Sequence, residues 1–169
     1  AQYNGKPEVT LTGDERSDVA TKAVLLQNHE IMRANMEGLL QDVDSEFLHD
    51  FRVAIRRSRA VLRLVKDVFP PSVTEKFAAE LRYVGQLTSA PRDNDVLTLK
   101  IDEYLASLSD SNEQSALALR AQLIKDRNTS QRELEKTLCG VRYRSFDRRW
   151  RAFLTKAVPT KSSAANAHI

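Results

Sequence analysis

Six side chains between positions 49 and 66 share one chemistry: His49, Arg52, Arg56, Arg59, Arg63 and Lys66 recur at alternating steps of three and four. On a helix, at about 100° per residue, that spacing gathers them into a sector roughly 100° wide. From His49 to Arg63 the line would run about 21 Å at about 1.5 Å rise per residue. Aligned cations repel one another, and the segment offers only Asp50 to offset them. Such a line suits a linear polyanion. A guanidinium stays charged and presents a planar fork that grips phosphate oxygens in pairs. An imidazole such as His49 donates from a ring nitrogen. Arg57 lies off this line, beside the apolar seam. The plainer alternative is a face that is solvated, or matched by acids on neighbouring helices.

The whole chain is close to neutral, with 26 Lys and Arg, 23 Asp and Glu, and a net charge of +3 over 169 residues. The charge is segregated. Residues 49–66 hold five Arg and one Lys against Asp50, and residues 142–156 hold five Arg and one Lys against Asp147. A local basic region on a nearly neutral protein points to a local anionic partner. Arg144, Arg148 and Arg151 of the second cluster are candidates to extend the groove, although such a cluster is more often a solvated face.

The elements that must position these residues read as helices. Gly and Pro are scarce, and Ala, Leu, Glu, Lys and Arg are plentiful. Residues 1–16 read as a tail or linker, 17–157 as a helical bundle, and 158–169 as a linker or frayed tail. A first helix over about 18–42 has a seam of Leu25, His29, Met32, Met36, Leu39 and Val43. A second, about 45–69, is capped by Ser45, has a seam of Phe47, Phe51, Ala54, Ser58, Val61, Val65 and Val68, and ends at Pro70 and Pro71. A third from about Ser72 buries Val73, Phe77, Leu81 and Val84 and breaks at Thr88-Ser89-Ala90-Pro91. A fourth, about 93–108, is capped by Asp93 or Asp95 and buries Leu97, Ile101, Tyr104 and Leu108. A fifth, 113–139, places Leu119, Leu123, Leu134 and Leu138 inside and stops at Gly140. Its seam has a gap at Arg127 and Ser130 or Gln131, and an inward Arg127 points to a polar interior groove. A sixth, about 143–156, buries Phe146, Trp150, Phe153 and Leu154. Short connections favour antiparallel neighbours, so the expected class is all-α, an antiparallel helical bundle.

The string His49-Asp-Phe-Arg52-Val-Ala-Ile-Arg56-Arg57-Ser-Arg59 resembles the signature of the CHAD family, the conserved-histidine α-helical domains. Leu81-Arg82, Gly85 and the block Arg92-Asp93-Asn94-Asp95-Val96 are similar to a second family element. Arg127, Leu134, Leu138, Arg142-Tyr143 and Trp150-Arg151-Ala152-Phe153-Leu154 agree more loosely. The resemblance covers about residues 18–157. It implies a four-helix-bundle-like half of a CHAD domain that binds inorganic polyphosphate without catalysis of its own. It assigns anion binding to His49, Arg52, Arg56, Arg57, Arg59 and Arg63, with Arg82, Arg92 and Arg127 as additions, and structural roles to Asp93 and Asp95. Asn35-Met-Glu-Gly38 and Glu46-Phe-Leu-His49 look most like members fused behind a CYTH triphosphatase domain. Family domains are about twice this length, with a second His-containing motif. Here His29 is followed by Arg33 at the wrong spacing, and His168 stands in the tail. The implied partner beyond polyphosphate is thus a missing second half or a second copy.

Other signals are bland. His29 reads as a satisfied, partly buried histidine and Cys139 as a small buried hydrophobe. No metal-ligand spacing, cofactor motif or Gly-rich phosphate loop is present, so neither a cofactor nor a catalytic residue is expected. A lone cysteine and the absence of any apolar run near 20 residues suit a cytoplasmic chain off the membrane, and the resemblance implies polyphosphate granules as its place there. The competing readings are nucleic-acid binding and docking of an acidic protein. Base stacking wants aromatics between the arginines, and the basic face has none.

Overall fold

The computed structural model describes Thr10 and residues 15–65, 67–107 and 113–157. Among these residues the chain forms helices only: α1 (Ser17–Leu40), α2 (Ser45–Leu64), α3 (Pro71–Leu87), α4 (Ser89–Ser107), α5 (Glu113–Leu138) and α6 (Val141–Thr155). Helices α1, α2, α3 and α6 enclose one core, and α4 pairs mainly with α5. Neighbours run antiparallel. Lys22 and His29 of α1 meet the end and middle of α6 at Lys156 and Asp147, and Asp95 and Asp102 of α4 meet Arg127 and Arg120 of α5. The expected helical bundle is the observed one. The tail segments expected at 1–16 and 158–169 fall almost entirely outside the described residues. Of the first, Arg16 holds the buried Asp18 through two hydrogen bonds at 3.1 and 2.8 Å.

The core is built where apolar side chains recur at helical spacing. Leu25, Met32 and Leu39 of α1, Phe77, Leu81 and Val84 of α3, and Phe146, Trp150 and Leu154 of α6 are buried as their spacing predicts. Phe77 lies 4.6 Å from the Trp150 ring and 5.2 Å from Phe153, and Phe146 and Phe153 flank Trp150 in stacked geometry.

Helix α2 departs from its expected seam. Besides Phe51, Ala54 and Ser58, it buries Leu48, Ile55 and Leu62, a second row at seven-residue spacing. That row broadens the buried arc toward the basic line, because α2 packs on both α1 and α3. Asp44, not Ser45, is its cap: its carboxylate accepts from the Glu46 amide at 2.9 Å. The helix ends at Leu64, before the prolines. Val65 leaves helical geometry and Asp67 takes a left-handed φ of 66°. This turn carries Val68 and Phe69 back into the core, where Phe69 meets Phe153 edge-on at 5.2 Å.

Only Thr88 separates α3 from α4, so Ser89 to Pro91 are helical rather than a break. Pro91 is the third residue of α4, where amide hydrogens have no intrahelical acceptor, and its missing N–H costs nothing. Asp93 and Asp95 therefore sit inside α4 and cap nothing. Leu97 and Tyr104 are 45% and 46% exposed and Leu119 of α5 is 49% exposed, against the expected burial. Val43 lies beyond α1 and is exposed, and Leu108 lies outside the described residues. Cys139 is exposed, because Leu134 and Leu138 take the inward positions at the end of α5. Gly140 sits in extended backbone and leads into α6 rather than closing α5 with a left-handed turn.

Candidate functional site: a basic furrow between two helices

The line on α2 faces the gap beside α3. His49, Arg52, Arg56 and Arg59 line an open depression of about 220 Å³ whose other wall is the end of α3 and the start of α4, at Gly85, Thr88 and Ser89. Arg56 and Arg59 also line the next depression, about 410 Å³, together with Arg63 of α2 and Arg82 of α3. The two depressions share these arginines and form one furrow along α2. Lys66, the last member expected on the line, lies outside the described residues.

Arg52 anchors the furrow. Its Nη1 donates to Thr88 Oγ1 and Ser89 Oγ, each at 3.0 Å, and to the Gly85 carbonyl at 3.4 Å. Both hydroxyls in turn donate to the Gly85 carbonyl, at 2.8 and 3.3 Å. A cation at the C-terminus of α3 meets unsatisfied carbonyls and the negative end of the helix dipole. Burial pushes the Arg52 guanidinium below its ordinary value. Asp93 opposes that shift, while Arg92 and Arg56 lower it further. One carboxylate, Asp93, and two cations, Arg92 and Arg56, thus act on Arg52 at this end of the furrow.

Among the described residues, none of His49, Arg52, Arg56, Arg59, Arg63, Arg82 and Arg92 makes an ion pair with a carboxylate. Glu75, on the rim near Arg63 and Arg82, is the one acid lining the furrow. Floor and walls also include Val53, Ile55 and Ala78, so the cations stand over partly apolar surface.

The structure brings together most of the expected residues, but not all. Arg92 neighbours Arg52 at the start of α4. Arg57 lies on the other flank of α2 and lines neither depression. Arg127 is engaged elsewhere. It pairs bidentately with Asp42, and its Nε donates to Asp95 at 2.8 Å. Those carboxylates raise its pKa well above the ordinary arginine value against the opposing effect of burial. The gap it leaves in the α5 seam is an ion-pair junction linking the α1–α2 turn, α4 and α5, not an open groove. Gln131, the other polar member of that gap, is buried and donates to the Leu39 carbonyl at 2.8 Å. Arg144 and Arg151 do not extend the furrow: Arg144 lines a different cavity, and Arg151 approaches Glu30 at 3.9 Å. His29 is completely buried and donates from Nε2 to Asp147 Oδ1 at 2.6 Å.

Sequence reasoning gave no site role to Thr88 and Ser89, nor to Gly85, which it named only within the second family element. The available signal was two hydroxyl residues just before Pro91, one helix away from a line of arginines. Among the described residues no group of three or more His, Cys, Asp or Glu is placed to hold a metal ion, and no helix is long and apolar enough to cross a membrane.

A comparison with protein-family models matches the CHAD domain over residues 23–168. Among solved structures, the crystal structure of the CHAD domain from the plant Ricinus communis matches with a TM-score of 0.71 at 26% identity, covering 91% of this chain and 50% of that one. The chain thus spans half the length of that relative. A search of curated proteins gives no significant match. Since the family match runs from the second turn of α1 past the end of α6, the chain belongs to the CHAD domain family.

Proposed function

We propose that the chain binds linear inorganic polyphosphate along the α2–α3 furrow and does no chemistry on it. The observation that carries this reading is a continuous row, His49, Arg52, Arg56, Arg59 and Arg63, joined by Arg82, none of which makes an ion pair with a carboxylate among the described residues. Phosphate oxygens supply acceptors, at intervals along a chain, for the donors left over once Arg52 Nη1 has met Gly85, Thr88 and Ser89. The resemblance to CHAD domains supports the same ligand. Arg57 and Arg127 drop out of the site as proposed, and Arg52 both binds and braces the α3–α4 junction. A nucleic-acid ligand finds no Phe, Tyr or Trp lining the furrow for a base to stack on.

Because the chain spans half of its structural relative, the furrow is proposed to be half of a longer surface. A second half or a second copy would complete it, and a CYTH domain is the proposed fusion partner upstream. The proposed location is the cytoplasm, at polyphosphate granules, to be checked by imaging a fluorescent fusion against a polyphosphate stain.

Fluorescence anisotropy with labelled polyphosphate of graded lengths tests the reading. Affinity should rise with length, and its logarithm should fall linearly with the logarithm of salt concentration as counterions are released. Arg56→Glu should weaken binding about tenfold or more with helicity unchanged, since each charge-assisted hydrogen bond contributes ~1.5–3 kcal/mol. Unchanged affinity in that variant, tighter binding of an RNA of equal charge, or magnesium-dependent phosphate release would overturn it.

A further inference from the structure

Across the four-helix ring from the furrow, a second cavity opens between α1, the end of α5 and α6. Its volume is about 470 Å³, within the ~300–1,000 Å³ common for small-molecule sites. Met36, Leu40 and Leu138 give it an apolar wall, and Arg33, Arg144 and Asp147 give it a polar side. Neither Arg33 nor Arg144 has a carboxylate within 4.0 Å among the described residues, and both are exposed at the rim. Asp147 is held in place by the buried His29 at 2.6 Å.

Tyr143 is the unusual member. It lines the cavity, its side chain is only 6% exposed, and its hydroxyl is buried with no hydrogen-bond partner. Buried hydroxyls nearly always have partners, because desolvating one without compensation is unfavourable. Its ring is fixed between Phe51 at 6.5 Å and Phe146 at 5.9 Å, so the hydroxyl cannot simply turn away. Burial first, then the charge of Asp147, pushes the phenol above its ordinary pKa, which keeps it an O–H donor. Tyr143 therefore brings to the cavity wall a donor that lacks an acceptor, its hydroxyl covered in this structure, with two guanidinium groups at the rim. Set against the Asp147 carboxylate, those guanidinium groups leave one net positive charge.

We propose that this cavity binds a small monoanion with an apolar body, an acyl or aryl carboxylate. Its headgroup sits between Arg33 and Arg144 and, on entering, uncovers the Tyr143 hydroxyl and accepts from it, and its hydrocarbon lies against Met36, Leu40 and Leu138. The site is separate from the furrow and does not depend on what the furrow binds.

Octanoate is the probe, titrated into the full chain and followed by calorimetry and by amide and methyl NMR, with octan-1-ol as the uncharged control. The expected result is saturable binding that shifts Met36, Leu40 and Leu138 signals, with octan-1-ol at least tenfold weaker. Joint substitution of Arg33→Gln and Arg144→Gln should weaken octanoate at least tenfold. Tyr143→Phe should weaken it about threefold or more while the thermal midpoint does not fall, since the phenol makes no internal hydrogen bond. Polyphosphate should not displace octanoate, and Arg56→Glu should leave octanoate binding intact. The proposal fails if binding does not saturate, if octan-1-ol binds equally well, if Tyr143→Phe and the double variant bind as the parent does, or if polyphosphate competes.

Discussion

Two segments of this chain carry the same basic complement, five Arg and one Lys against one Asp, at residues 49–66 and 142–156. The fold treats them differently. On α6, Arg142 and Arg149 approach Glu80 of α3 at 3.2 and 3.9 Å, and Arg151 approaches Glu30 of α1 at 3.9 Å. The Arg142 guanidinium also lies over the Tyr83 ring at 3.5 Å. On α2, Arg52, Arg56, Arg59 and Arg63 make no ion pair among the described residues and face a shared furrow. What distinguishes the helices is what their neighbours bring. The wall opposite α2 offers a glycine, two hydroxyls and a single rim acid, whereas the wall beside α6 offers Glu80. Positive charge counts toward anion binding only where the fold withholds carboxylates.

The largest effect should come from neutralising matched pairs on the two helices. Arg56→Gln with Arg59→Gln should weaken polyphosphate binding about a hundredfold, from ~1.5–3 kcal/mol per charge-assisted hydrogen bond and ~1.4 kcal/mol per tenfold. Arg142→Gln with Arg149→Gln removes the same formal charge and should weaken it less than about threefold, through long-range screening alone. Equal losses from the two pairs, read by anisotropy at one salt concentration, would mean that total charge rather than the furrow governs binding.

The line on α2 was legible because it lies on one helix, where spacing alone fixes direction. The seams of α1, α3 and α6 were legible for the same reason. Legibility failed where an outcome depended on a second element. Leu48, Ile55 and Leu62 are a hidden row until α2 is seen to touch α3 as well as α1. The α4 row of Leu97, Ile101 and Tyr104 is amphipathic in sequence, yet periodicity cannot say whether anything covers it. Arg127 was the hardest case. A cation in an apolar seam reads equally as a groove lining or an ion-pair hub, and the deciding partner, Asp42, lies 85 positions away. Thr88 and Ser89 left only a faint signal, two hydroxyls before Pro91, because a hydroxyl does not declare its role until a donor such as Arg52 reaches it.

Arg127 offers the next contrast, since the family resemblance groups it with the furrow and the structure groups it with Asp42 and Asp95. Arg127→Met should lower stability by about 1–2 kcal/mol, leaving the part-buried Asp95 and the exposed Asp42 without their cation, after allowance for the solvent exposure of Asp42. For a chain of this size that is a fall of several degrees in Tm. Polyphosphate affinity, measured well below that midpoint, should be unchanged. A variant that keeps its Tm but binds tenfold more weakly would return Arg127 to the binding surface.

The smallest effect concerns pH and separates the helices by chemistry. On α6, the Asp147 carboxylate is held below its ordinary value, chiefly by the His29 hydrogen bond and further by the charges of His29 and Arg33, against the opposing effect of burial. A carboxylate with a lowered folded-state pKa contributes stability that is fully present above the unfolded value, ~3.9 for aspartate, and is lost as pH falls through the lowered value. Urea unfolding should therefore show the parent losing about 1 kcal/mol more than Asp147→Asn between pH 5 and the acid limb below 4. The α2 arginines stay charged throughout that range, so Arg56→Gln with Arg59→Gln should leave the acid limb of the parent unchanged. If Asp147→Asn and the parent lose stability in parallel, the His29–Asp147 bond is not what ties α6 to α1. If the furrow variant shifts the acid limb, the α2 cations are paired with a carboxylate after all, and the difference between the two arginine-rich helices narrows to one of exposure.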